Sequence, residues 1–97
     1  MKLRFTARAT QDLIEISEYI RERNANASQR VRAALLESLQ TLIIFPEAGR
    51  RQGLPSVRKL VTRKYSYLIY YSFDQAKDEI VILTIQHSAR EREYEDV

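Results

Sequence analysis

The chain contains no cysteine and no tryptophan, one histidine, two glycines and two prolines. Each shortage excludes something. Without thiols there can be no disulfide, no thiolate metal site and no cysteine nucleophile. His87 alone cannot build a histidine metal cluster, so neither a metal nor another cofactor is expected. No apolar run approaches the roughly 20 residues that a membrane span requires. The first residues, Met1-Lys2-Leu3-Arg4-Phe5, alternate charged and apolar side chains and lack a signal-peptide core. The expectation is a reduced, cytoplasmic setting with no membrane partner.

What is present fits one folded unit. The 97 residues are 44% hydrophobic and 30% charged, an ordinary balance for a single globular domain spanning 1–97. The net charge of +3 points to an acidic partner. Its distribution says more than its size. Between Ala48 and Phe73 there is no Asp or Glu, while Arg50, Arg51, Arg58, Lys59, Arg63 and Lys64 all fall there. The acids lie elsewhere, at Asp12, Glu15, Glu18 and Glu22, and in the tail at Glu91, Glu93, Glu95 and Asp96.

Leu3 and Phe5 alternate with Lys2 and Arg4, the pattern of a short strand with one buried face. Thr6 is placed to cap a helix whose stripe is Ala9, Leu13, Ile16 and Ile20, with Asp12 and the glutamates off that stripe. Asn24-Ala25-Asn26-Ala27 ends it in a left-handed turn, and Ser28 is the expected cap of a second helix. Val31, Leu35, Leu39 and Leu42 form that helix's stripe, widened by Ala34 and Leu36, and Pro46 stops it. Every Gly and Pro falls between Pro46 and Pro55, which predicts one extended loop carrying Arg50 and Arg51. The period then changes to two. Val57–Val61 and Tyr65–Phe73 read as strands, the second with Tyr65, Tyr67, Ile69, Tyr71 and Phe73 on one face. A polar turn over 74–78 leads to a last strand, 79–87, placing Val81, Leu83, Ile85 and His87 together. The predicted fold is α+β in two layers: an N-terminal strand, a helical hairpin, then three antiparallel strands, with the hairpin on one sheet face.

Four stretches together resemble the ParE/RelE superfamily of toxins from bacterial type II toxin–antitoxin systems. They are Phe5-Thr6 with Ala9 and Asp12-Leu13-Ile14; Phe45-Pro46-Glu47-Ala48-Gly49-Arg50; Val57-Arg58-Lys59-Leu60 with Tyr67-Leu68-Ile69-Tyr70-Tyr71; and Ile82 to Glu91, which holds a His-x-x-Arg-acid signature. The resemblance covers nearly the whole chain, and the long hairpin with a compact sheet is closer to the ParE branch. It implies a toxin that inhibits DNA gyrase by binding, with no catalytic site of its own. A cognate, ParD-like antitoxin would neutralise it, and operator DNA would be contacted only through that antitoxin. Two alternatives accompany this reading: a metal-independent, ribosome-dependent mRNA endoribonuclease of the RelE type, or an inactive homologue acting only in complex formation and operon autoregulation. Ser72 departs from the family's frequent Arg after the central Tyr and removes one cation from the sheet.

If the chain were a nuclease, Arg63, His87 and Arg90 would be its catalytic candidates, since cations stabilise charge on a cleaving phosphate and an imidazole moves protons near neutrality. The plain reading of His87, a hydrogen-bonded residue ending an apolar strand face, is preferred. Arg58 and Lys59 point to opposite faces of a strand and cannot both line one site. Arg58, Lys59, Arg63 and Lys64 are instead expected to bind an acidic antitoxin segment or a target surface. Leu68 and Tyr70 fall on the face away from the other aromatics, and an uncovered pair there would be packed by the antitoxin. Tyr94 sits among tail acids that would repel RNA.

Overall fold

Leu3 and Phe5 do turn inward from a short strand, β1 (Lys2–Phe5), and Thr6 caps the helix that follows. The computed structural model describes residues 1–88, so Arg90, Tyr94 and the tail acids lie outside the described residues. After β1 come α1 (Ala7–Arg23), α2 (Ala25–Ile44), β2 (Arg50–Arg51), β3 (Arg58–Val61), β4 (Tyr67–Asp74) and β5 (Glu79–His87). The five strands form one mixed sheet in the order β1-β5-β4-β3-β2, with β1 parallel to β5 and the remaining neighbours antiparallel. The helical hairpin covers one face. Ala9, Val31, Leu35, Leu39 and Leu42 from the helices meet Tyr67, Ile69, Tyr71, Ile80, Ile82 and Ile85 from the sheet. Each large apolar side chain buried in this way contributes about 1.5–3 kcal/mol.

The turn between the helices differs from expectation. Asn24, not Ser28, caps α2, its side-chain oxygen accepting from the amides of Asn26 and Ala27. The same residue closes α1 by donating its amide to the carbonyl of Ile20, with an extended φ of −164° rather than a left-handed one. One residue thus serves both helices, which shortens the connection to a single position. Leu36 does not widen the buried stripe; it is 53% exposed.

The expected loop between Pro46 and Pro55 contains β2, two residues paired with β3. Its first part is held by Tyr71. The Tyr71 hydroxyl donates to the Pro46 carbonyl at 2.7 Å and accepts from the Gly49 amide at 2.8 Å. A Cβ on Gly49 would lie 2.6 Å from the Tyr71 ring and hydroxyl, so only glycine lets the backbone come this close. Pro46 and Gly49 are therefore the two ends of one clasp.

The last strand carries a second correction. Tyr70 pairs with Thr84 but Tyr71 with Ile82, so β5 bulges at Leu83. One extra residue flips the alternation. Ile80 and Ile82 face the helices before the bulge and Ile85 after it, whereas Val81 and Leu83 are not in the core. Tyr65, expected inside β4, precedes it in a turn and is left-handed at φ 70°, followed by Ser66 at 55°.

Candidate functional site

The start of α1 is bolted to the β5 bulge. Thr6 Oγ1 accepts from the Ala9 amide at 3.0 Å as the helix cap and donates to the Leu83 carbonyl at 2.8 Å. Asp12, one and a half turns on, accepts from Thr84 Oγ1 and from the Ile85 amide at 2.5 and 3.0 Å. Asp12 was expected off the apolar stripe of α1. The bulge, invisible to periodicity, turns a backbone amide and a hydroxyl toward it. Further along the hairpin the two helices leave a groove of about 480 Å³ between them, with Ile14 and Leu36 on its walls at 45% and 53% exposure. Arg21 and Arg32 stand at the same groove with Glu18.

Arg58, Lys59, Arg63 and Lys64 do not gather at one point. Arg58 is turned to structure: its Nη1 donates to the carbonyls of Gly49 and Glu47 at 2.9 and 3.3 Å, and its guanidinium lies 5.6 Å from the Phe73 ring centroid. It braces the clasp that Tyr71 holds from the other side. Burial raises the Tyr71 phenol above its ordinary pKa of 10.0; the Gly49 amide and Arg58 oppose that rise and Glu47 adds to it. Lys59 is half-buried on the opposite face, across from Tyr70. Arg63 lies in the β3–β4 turn and reaches Glu37 of α2 at 3.8 Å, both side chains largely in solvent. The Lys64 side chain is exposed, and its carbonyl accepts from Thr62 Oγ1 within that turn.

His87 ends β5 across from Tyr67, its ring edge-on to the phenol ring at 5.4 Å between centroids. Burial, and then Tyr19 nearby, raise the Tyr67 pKa above 10.0. The structure therefore engages Arg63 with a helix and His87 with a strand, and Arg90 falls outside the described residues. Leu68 and Tyr70 are 2% and 0% exposed, so the expected uncovered pair on that face is absent. Their neighbours across the ladder, Gln86 and Thr84, are buried as well. The sequence showed these residues to be on the far face of the strand but not that this face is closed. Among the described residues no helix is long and apolar enough to cross a membrane.

With strand order, clasp and helical hairpin in place, the fold can be set beside known proteins. Residues 3–92 match the family described as "ParE toxin of type II toxin-antitoxin system, parDE". The chain belongs to the ParE toxin family. It is 32% identical over 87 residues to "Putative toxin Y4kP" of Sinorhizobium fredii, covering 90% of this chain and 88% of that protein. Among solved structures, this ParE-family chain superposes on a chain of the chromosomal ParDE system from P. aeruginosa with a TM-score of 0.75 at 23% identity, covering 90% of this chain and 95% of the other. A chain of the intact E. coli RelBE toxin–antitoxin complex gives a TM-score of 0.65 at 21% identity, with 92% and 98% covered. At these identities the two structures support the ParE/RelE fold, and the family match supplies the toxin assignment.

Proposed function

We propose that this toxin inhibits DNA gyrase by binding to it, without catalysis of its own, and is held inactive by a cognate antitoxin. The family match across residues 3–92 to ParE toxins is the observation that carries the reading. It is supported by the separate engagement of Arg63 with Glu37 and of His87 with Tyr67, which does not resemble one converging set of proton donors and phosphate ligands. The antitoxin would lay an amphipathic segment in the groove between α1 and α2, covering Ile14 and Leu36, as a helix does in an apolar groove. Arg63 and Lys64 at the exposed β3–β4 turn are candidates for contact with a target or antitoxin surface.

The test is purified toxin added in parallel to a gyrase supercoiling assay and to cell-free translation. Lost supercoiling or trapped cleaved DNA, with translation intact, is the expected outcome. Arrested translation with cut mRNA and unaffected gyrase would overturn the reading in favour of a ribosome-dependent endoribonuclease.

A further inference from the structure

The β2–β3 ladder pairs cation with cation at the sheet edge. One of its rungs sets Arg51 opposite Arg58, and the stretch from Ala48 to Phe73 that contains both holds no acid. Like charges directly opposite each other on paired strands are destabilising, whereas an acid on either strand would have stabilised the pair. Arg51 and Arg58 also line one groove of about 440 Å³, formed with the loop from Gln52 to Val57 and with Phe73. Leu54, Pro55 and Phe73 give that groove an apolar wall. Arg58 is oriented from behind by the carbonyls of Glu47 and Gly49, which are neutral acceptors. Arg51 is exposed at the sheet edge.

We propose that this groove is a binding site for the phosphate group of a nucleotide, with Arg51 and Arg58 as paired guanidinium donors and Leu54, Pro55 and Phe73 receiving the body of the ligand. The planar guanidinium fork matches phosphate oxygens bidentately. A phosphate monoester carries about −1.5 to −2 charges near neutrality and so offsets two facing cations, where one carboxylate offsets one. The volume falls within the roughly 300–1,000 Å³ usual for small-ligand sites. The like-charge rung is then the signature of a site whose counter-charge arrives with the ligand. This site is separate from the α1–α2 groove and does not depend on the gyrase or antitoxin reading.

The experiment is an NMR titration of the full chain with sodium phosphate and with adenosine monophosphate, each against sodium chloride and sodium acetate at matched ionic strength, joined to thermal unfolding in the same solutions. Saturable shifts confined to the amides of residues 51–58 and the Phe73 ring, tighter for the nucleotide than for phosphate alone, are expected. Equal affinity for the two would overturn the role given to the apolar wall. R51Q should weaken phosphate binding by roughly tenfold, the effect of losing one charge-assisted contact. R51E should abolish it and, in phosphate-free buffer, raise Tm, because an acid then faces Arg58. Shifts no larger than those with chloride or acetate, or a phosphate response retained in R51E, would overturn the site.

Discussion

Two of the three antiparallel ladders in the described sheet are of opposite character. Between β4 and β5, Ile69 meets Ile85, Tyr71 meets Ile82 and Phe73 meets Ile80, and the first two pairs are buried. Between β2 and β3, both rungs pair cation with cation, and both β2 residues are exposed. The hydrogen-bonding pattern is of one kind, yet the first ladder sets its pairs in the core and the second faces cations at the sheet edge. A toxin of this size has roughly 5–15 kcal/mol of net stability, so a charge arrangement that works against folding must be supported from elsewhere. The support is the clasp, in which Tyr71 reaches out of the first ladder to grip Pro46 and Gly49 and Arg58 grips the same turn from β3.

The contrast is tested most severely at the core rungs. Ile69→Ala or Ile82→Ala should cost about 2–5 kcal/mol in denaturant unfolding, since both side chains are completely buried. A loss below about 1 kcal/mol at either position would mean that this ladder is not the centre of stability. Asp12→Ala removes a carboxylate that holds the Thr84 hydroxyl and the Ile85 amide at the bulge, and should cost about 1.5–3 kcal/mol. Hydrogen exchange should then show faster opening at Ile85 than at Ile69; uniform acceleration would place the loss in global stability instead.

The clasp joins the two ladders. Tyr71→Phe should cost about 1–3 kcal/mol by leaving the Gly49 amide and Pro46 carbonyl without their partner. Gly49→Ala should cost about as much through overpacking against the ring. If both act through one clasp, the double variant should lose less than the sum of the singles. Full additivity would separate them.

Tyr67 and Tyr71 also set an alkaline limit. Both phenols have folded pKa values raised by burial above 10.0, so the folded state favours their protonated forms. Their contribution is fully present below pH 10.0 and is lost as pH rises through the folded values. Tyr71→Phe should therefore flatten the fall of Tm at alkaline pH while lowering Tm at neutrality, and an unchanged alkaline slope would refute this. The smallest effect belongs to the exposed turn. Arg63→Gln breaks only a solvent-exposed pair with Glu37 and should change stability by less than about 0.5 kcal/mol. A loss of target inhibition in that variant, with Tm unchanged, would assign the turn to function rather than to folding.

Much of this molecule was legible as local pattern. The stripe Ala9, Leu13, Ile16 and Ile20, the stop at Pro46 and the inward set Tyr67, Ile69 and Tyr71 all reflect the period of one element at a time. The ParE/RelE likeness was legible too, because its motif residues do structural work: Pro46 and Gly49 form the clasp, and Asp12 and Thr6 hold the bulge. The candidate site was less legible. Alternation separated Arg58 from Lys59 correctly, yet it gave no sign that Arg58 would be turned onto carbonyls of its own loop, or that Leu68 and Tyr70 would be covered.

The sequence by itself determined the order and type of the main elements, the helix stripes and the acid-free stretch from Ala48 to Phe73, because each depends on neighbours along the chain. Only the tertiary structure decided the parallel pairing of β1 with β5, the bulge that turns Ile80 and Ile82 inward in place of Val81 and Leu83, and the facing of Arg51 with Arg58. Those features are set by which backbone amide finds which carbonyl across the sheet. Pairing partners lie on different elements, and the period within one element carries no register between two.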